Sequence, residues 1–370
     1  MSNMILNYEL KCHSPLIHFQ PDQPGATLRA TEVKPKLDRF LKKRYGDTIL
    51  KEWKMDPDKD ALRYKMHFKV KGRQEIVELG MRTDYEIFYG NMGDGTVRKK
   101  GVLGNVSLQI ICAIPELRKL IDESIAEFFV VTNFGTMQNK GFGSYTVVGK
   151  NLSPNELAGI LKAEYGAQKC YMFQGGEKPF ARIKTVYGMI KSGVNFRNYQ
   201  RSLLFLFLHQ HKKIGNEKAW LKQNGYAPSD VGQNAGRYPK NDPHPSYYVR
   251  ALLGIGDHID FINDLNNRGN KTTVSIKCDR GGIERLHSPI LFKVIENNVY
   301  YVAQRIDERI YGTTFRFSSP RGGGGSLTVP TKEVLGEAFI DEFLAYCEKE
   351  LNGGALGKFR DTQNIRIQGV

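Results

Sequence analysis

Cysteine is scarce and scattered. Cys12, Cys112, Cys170, Cys278 and Cys347 stand alone, five in number, with no Cys-x-x-Cys pair. An odd, isolated set argues against a disulfide framework and against a structural zinc site, and it fits a reducing cytoplasm. No run of about 18 apolar residues occurs, so no transmembrane helix is expected. The opening stretch Met1–Lys11 has neither a basic leader nor a long apolar core and reads as a first strand, not a signal peptide. Also missing is the Gly-x-x-x-x-Gly-Lys-Ser/Thr pattern of a P-loop NTPase. There is no paired-aspartate phosphoryl-transfer motif and no recognisable Ser/His/Asp arrangement. Asp257-His258-Ile259-Asp260 is not a metal-dependent phosphohydrolase motif. His209 and His211 lie two apart, and on a helix such residues diverge, so a shared metal is not expected. No cofactor is expected.

Acidic residues are also in deficit. Against 54 Lys and Arg stand 39 Asp and Glu, a net charge of +15 and a sequence pI near 9.4. Such an excess favours a polyanion, because neutralising phosphates releases counterions. A membrane surface fits less well, since no basic amphipathic helix with an aromatic face sits at a free terminus. With 40% hydrophobic and 25% charged residues over 370 positions, the chain can fold and is long enough for two domains.

Periodicity supplies the elements. Residues 5–19 read as a strand bent at Ser14-Pro15. Residues 32–44 read as a helix with Val33, Leu37, Phe40 and Leu41 on one face and Pro35 tolerable near its first turn. Leu62, Tyr64, Met66, Phe68 and Val70 alternate as a strand. Strand material in 84–112 surrounds a basic glycine-rich loop, Gly90–Gly104. Leu117, Leu120, Ile121, Ile125 and Phe128 mark a helix, followed by a glycine-rich segment and the strand 145–148. This order is that of an α+β unit of the ferredoxin-like (RRM-like) kind. Residues 151–180 read as a connector. A second such domain is expected over 181–352, with a strand at 181–190, helices at 197–213 and 247–253, a strand at 272–278, a hairpin at 290–306 and a closing helix at 331–351. Residues 353–370 read as a loose tail, and the first domain covers 1–150. The segment His13-Ser14-Pro15-Leu16-Ile17 recurs as His287-Ser288-Pro289-Ile290-Leu291, a hint of duplication. Gly322–Ser326 is flexible in composition and is either a natural glycine-rich loop or an engineered linker standing in place of a natural one.

Several stretches could meet a polyanion. In Phe134–Ser144, Gly135, Gly141 and Gly143 would let backbone N–H groups approach a phosphate, Lys140 adds charge, and Phe134 and Phe142 could stack on bases. The plainer reading is a tight turn with both rings in the core. The helix around Lys34, Lys36, Arg39, Lys42, Lys43 and Arg44 either tracks a backbone, together with Arg29, or is a solvated face paired with Glu32 and Asp38. Arg98, Lys99 and Lys100 mark a hairpin tip. In the second half Arg237, Lys240 and Arg250 flank prolines. Arg280, Arg285, Arg305, Arg309, Arg316 and Arg321 interleave with Tyr311, Phe315 and Phe317, which suits single-stranded RNA or a strand with one buried face. Among eight histidines, none sits in a recognisable catalytic context, and His13 and His287 read as structural.

The order of these motifs resembles the RAMP proteins of type III CRISPR effector complexes. Three segments carry it: Ser14-Pro15-Leu16 with Gly25–Arg29 and Lys34–Phe40; Gly101–Val106; and Phe134–Ser144. His287-Ser288-Pro289-Ile290 resembles a second-domain segment of the subunit that caps the Cmr complex. The glycine-rich segment departs from the family pattern, holding Met137, Gln138 and Asn139 where arginines are usual. The resemblance implies two ferredoxin-like domains with glycine-rich loops, in a non-catalytic subunit that binds crRNA or target RNA beside other effector subunits. A Cas6-like endoribonuclease is the rival. It would use His13 or His18 for proton transfer, although that family's glycine-rich loop lies near the C-terminus. An RNA-binding factor outside CRISPR systems is a third reading.

Overall fold

The strand Lys65–Leu79 alternates exposed and half-buried positions as far as Lys71 and is fifteen residues long, the longest among the described residues. The structure, a computed structural model, describes residues 4–18, 23, 26–56, 60–80, 83–86, 99–195, 199–228, 243–263, 270–279, 283, 286–359 and 362–370. The first half runs β1 (Ile5–Cys12), α1 (Ala30–Tyr45), β2 (Lys65–Leu79), β3 (Lys99–Ile111), α2 (Pro115–Val131) and β4 (Tyr145–Val147). Its sheet has the order β2-β3-β1-β4, antiparallel throughout. Helices α1 and α2 cover one face. Val33, Leu37 and Leu41 pack with Leu117, Ile121 and Phe128 over Leu10, Leu108 and Ile110. Pro35 lies inside α1 and not at its first turn. It withholds the donor that would serve the carbonyl of Thr31, which is exposed and open to water.

Next come α3 (Pro154–Tyr165), β5 (Cys170–Gln174), α4 (Pro179–Lys191), β6 (Val194–Asn195), β7 (Tyr199–Gln200), α5 (Leu203–Lys212), β8 (Gly215–Asn216), α6 (Glu217–Gln223), β9 (Ser246–Tyr247), β10 (His258–Ile262) and β11 (Lys271–Cys278). The chain closes with β12 (Ile290–Ile295), β13 (Asn298–Ala303), β14 (Thr314–Ser318), β15 (Gly324–Thr328), α7 (Lys332–Leu335), α8 (Phe339–Glu350) and β16 (Gln368–Gly369). One sheet has the order β12-β13-β5-β16 and another β10-β11-β14-β15. Both halves thus repeat strand–helix–strand–strand–helix–strand: β1-α1-β2-β3-α2-β4, then β5-α4-β12-β13-α8-β16. Each sheet orders its strands second, third, first, fourth.

This layout corrects four expectations. The supposed connector 151–180 contains α3, held by a Ser153/Glu156 capping box, and β5, an inner strand of the second half. The supposed loose tail holds β16, which pairs with β5, and Ile367 and Thr362 are buried. Residues 181–190 are helical: Phe180, Ile183, Tyr187 and Ile190 recur every three to four positions and are buried. The His-Ser-Pro segments occupy unequal places, one after β1 and the other before β12, so the motif does not mark the repeated element order.

The hairpin β12–β13 is buried on both faces. Leu291, Ile295, Tyr300 and Val302 join the core of the first half, while Phe292, Val294, Val299 and Tyr301 join the second core. The Gly322–Ser326 stretch is not all loop. Gly324–Ser326 belong to β15, paired with β14. A Cβ on Gly325 would stand 2.6 Å from the Trp220 ring, so the ring needs glycine beneath it.

Candidate nucleic-acid interface

The glycine-rich segment folds as a joint between the halves. Its first arm hydrogen-bonds to the His13-Ser14-Pro15 segment: Gly143 N–H donates to Pro15 O at 2.9 Å and Ser14 Oγ donates to Gly141 O at 2.7 Å. The other arm meets the second half, where Asn139 Nδ2 donates to Ser288 O at 2.7 Å and Asn133 Nδ2 to Phe292 O at 2.8 Å. Gly143 has φ 68°, and a Cβ there would collide with the Phe134 carbonyl, which explains the glycine without a ligand. The amides are taken too: Gly135 N–H donates to Glu32 Oε1 at 2.7 Å and Gly141 N–H to Gln138 O at 3.2 Å. Phe134 and Phe142 are both fully buried, Phe142 against Phe180 with ring centroids 4.2 Å apart. Neither ring is open to a base. Lys140 is buried with its Nζ 3.2 Å from the Tyr187 ring centroid, and burial pushes its pKa well down. The segment expected to cradle phosphate is therefore a packed turn.

The cations of α1 divide into two sets. Lys34 binds Asp38 at 2.9 Å and Leu62 O at 2.9 Å. Lys36 binds Glu32, Asn133 O and Gln138 Oε1, each at 3.0 Å; burial lowers its pKa, with Glu32 opposing. Lys42 is held by Asp60. These three lysines fasten the helix to its surroundings. Arg29, Arg39 and Lys43 are exposed.

Arg39 and Lys43 stand at a groove between the halves. Three adjoining pockets of about 1150, 330 and 400 Å³ share Tyr165 and Gln304. One wall comes from α1 and the end of α2, the other from α3 and the residues after β13. Phe40, Val131, Leu152 and Ile160 supply apolar surface. Gln138 and Asn139 close one end. Lys43 pairs with Glu164 at 2.6 Å and Arg44 with Glu127 at 2.5 Å, and Glu127 raises the Arg44 pKa. Arg39 and Arg305, both exposed, have no carboxylate partner among the described residues. They remain available to an anion. Arg305 was visible in sequence only as one of a dispersed set; its place in the groove follows from the hairpin β12–β13 docking on α2.

Other expected residues lie apart. Lys99 and Lys100 begin β3; Arg98, Arg237, Lys240, Arg280 and Arg285 lie outside the described residues. Arg250 is turned inward onto fully buried Glu217, not toward solvent. Arg316 is exposed and 3.2 Å from Asp279, and Arg321 is exposed beyond β14; neither lines the groove. His13 accepts from Glu296 N–H at Nδ1, 3.1 Å, while Nε2 meets Thr146 Oγ1 at 2.7 Å. Burial, then Lys293 and Lys11, push its pKa down to about 4. His18 is also lowered by burial. Among the described residues no group of three or more His, Cys, Asp or Glu could hold a metal, and no helix is long and apolar enough to cross a membrane.

Sequence reasoning missed Lys293. Its Nζ donates to Phe129 O at 2.7 Å and Thr132 O at 2.8 Å, and nothing in a run of strand residues signals an inward lysine.

Known proteins provide the remaining comparison. Among curated proteins no sequence matches. A crystal structure of Cmr1 from Pyrococcus furiosus in the apo form is similar at 10% identity and TM-score 0.37, covering 81% of this chain and 88% of that one. A cryo-EM structure of the type III-B Cmr-beta complex bound to cognate target RNA contains a chain similar at 9% identity and TM-score 0.30. That match covers 39% of this chain and spans 58% of the other chain's length. At such scores neither assigns a role to any residue here. The family profiles do decide the matter: residues 3–194 match the Cmr1 N-terminal domain and residues 199–364 the Cmr1 C-terminal domain, so the chain belongs to the Cmr1 family.

Proposed function

We propose that this Cmr1 family member is a non-catalytic RNA-binding subunit of a type III-B Cmr effector ribonucleoprotein in antiviral defence. It contacts crRNA or target RNA beside other effector subunits in the cytoplasm. The observation that carries this reading is the groove between the halves, where Arg39 and Arg305 face solvent beside the amides Gln138, Asn139 and Gln304. Guanidinium groups there suit phosphates, while Gln138 and Asn139 shape the end of the groove with amides already held by Lys36, Gly135 and Ser288. The net charge of +15 supports it, as does the family relation. The repeated element order and the shared strand order favour two ferredoxin-like units, β1–β4 and β5–β16, the second with the β10-β11-β14-β15 sheet inserted.

An endoribonuclease reading is disfavoured at His13. A ring whose nitrogens are both engaged, with a pKa near 4, is a poor proton shuttle at neutral pH. The test is binding of labelled single-stranded RNA in EDTA, read with cleavage on one gel, for the intact protein and for Arg39→Glu/Arg305→Glu. Salt-sensitive binding without cleavage, weakened at least tenfold in the variant, is expected. Cleavage abolished by His18→Ala would replace this reading with the ribonuclease.

A further inference from the structure

Over Lys65–Lys71 the first sheet has a face that no helix among the described residues covers. Because side chains alternate along a strand, the odd positions of β2 point away from α1 and α2. From 65 to 71 they read Lys65, His67, Lys69, Lys71, and all four are exposed; past the register shift come exposed Glu75 and buried Val77 and Leu79. Arg73, also exposed, follows at the register shift between Lys71 and Glu75. The rows behind them are uncharged on β3: Lys65 is opposite Ile111, His67 opposite Gln109, Lys69 opposite Ser107 and Lys71 opposite Asn105. On β1, Asn7 lies opposite Gln109 and Glu9 opposite Ser107. Glu9 ion-pairs with Lys71. Lys65 and Lys69 have no acidic partner among the described residues.

Like charges at alternate positions of one strand repel, at a spacing of about 6.6–6.8 Å for two residues. Lysine on an edge strand does guard against pairing with another chain. That task is met by one or two charges, and here every position of the face from 65 to 71 is Lys or His. The spacing is close to that of successive phosphates on an extended single strand. No Phe, Tyr or Trp stands on these rows, so the face offers bases nothing to stack on and offers a backbone charge and hydrogen-bond donors.

We infer that the open face of the β2-β3-β1-β4 sheet is a second RNA-binding surface, a track for the phosphodiester backbone of single-stranded RNA led by Lys65, Lys69 and Lys71. It rests on the RNA-binding reading but lies on the opposite side of the sheet from α1 and its groove. The protein then holds RNA on two faces of its first half, and the track binds without sequence preference because its contacts are with phosphates.

The experiment measures the affinity of the full chain for fluorescent oligouridylate across a salt series. Three forms are compared: the unaltered protein, Lys65→Gln/Lys69→Gln and Lys65→Arg/Lys69→Arg. A single strand contributes about 0.7 to the slope of log affinity against log salt for each phosphate contact. The Gln form is expected to lose about 1.4 from that slope, and the Arg form to keep it. Thermal unfolding confirms that both forms fold. An unchanged slope in the Gln form, with binding retained, overturns the track and leaves the groove standing. If that form instead loses affinity for polyglutamate, the face belongs to an acidic protein surface and the inference also fails. Absence of RNA binding by the unaltered protein overturns the functional reading and the track together.

Discussion

Lys293 and Phe129 join the halves: the Lys293 ammonium, on β12, donates to the Phe129 carbonyl in the last turn of α2 at 2.7 Å. The same ammonium reaches Thr132 O at 2.8 Å. A cation from one half thus caps a helix of the other, where the macrodipole and the unsatisfied carbonyls favour it. The position is 1% exposed, and burial holds the pKa well below the usual lysine range. Around it, Lys11 pairs with Glu296 at 2.8 Å, and Ser144 Oγ donates to Val294 O at 2.5 Å. The groove walls are therefore joined by buried hydrogen bonds as well as by apolar packing.

Lys293→Met fills a similar volume and removes a buried charge, which is a gain. It also strands two buried carbonyls at about 1–3 kcal/mol each. The second effect is larger, so the variant should lose about 1–3 kcal/mol in urea unfolding. A midpoint equal to or above that of the unaltered protein would show that the capping bonds contribute nothing net.

His13 makes stability depend on pH. Its pKa falls from 6.5 unfolded to about 4 folded. Between those values the unfolded chain binds more protons, so stability rises with pH across the window. The contribution is complete above about pH 6.5 and is lost as pH falls through 4. At roughly 1.4 kcal/mol per unit, the effect across the whole window is on the order of 3–4 kcal/mol. The unfolding midpoint should therefore drop between pH 7 and pH 5 by more in the native protein than in His13→Gln. Parallel pH curves would remove His13 as the cause.

The first half is legible from its sequence because each element buries one face and leaves the other wet. Val33, Leu37 and Leu41 mark α1 in this way, and Met66, Phe68 and Val70 mark β2. The odd positions Lys65, Lys69 and Lys71 were as readable, but attention to the apolar set hides them. The second half is harder. Strand β12 is buried on both faces, which erases alternation. Helix α4 carries apolar residues close enough together to pass for a strand. Strand β5 ends at Gln174, β12 begins only at Ile290 and β16 at Gln368, so no local pattern shows that β5 and β16 belong to one sheet. The glycines of 135–143 are visible in sequence, but not their reason, since Pro15, Phe134 and Phe292 meet there only in three dimensions.

Gly325→Val tests whether the glycine-rich stretch of β15 is built for Trp220. The added atoms would enter the ring's contact distance, 2.6 Å from the ideal Cβ, so the indole must move or the strand must shift. Overpacking of this kind costs about 1–3 kcal/mol. Trp220 is one of two tryptophans, and the other, Trp53, is buried in the first half. A red shift in folded-state emission should accompany the loss of stability. A freely exposed linker would accept valine with neither change.

Phe142→Ala separates packing from base stacking. The ring is fully buried and meets Phe180 at 4.2 Å between centroids, beneath the turn that joins the halves. Truncating a buried Phe costs about 3–5 kcal/mol, enough to lower the thermal midpoint by many degrees. Below that midpoint the folded protein keeps Arg39 and Arg305, neither of which touches the ring. RNA affinity per folded molecule, measured well under the transition, should stay within about twofold of the unaltered protein, because stacking loss would appear as about 1–3 kcal/mol. Lower affinity with unchanged stability would mean instead that the ring swings out to meet a base.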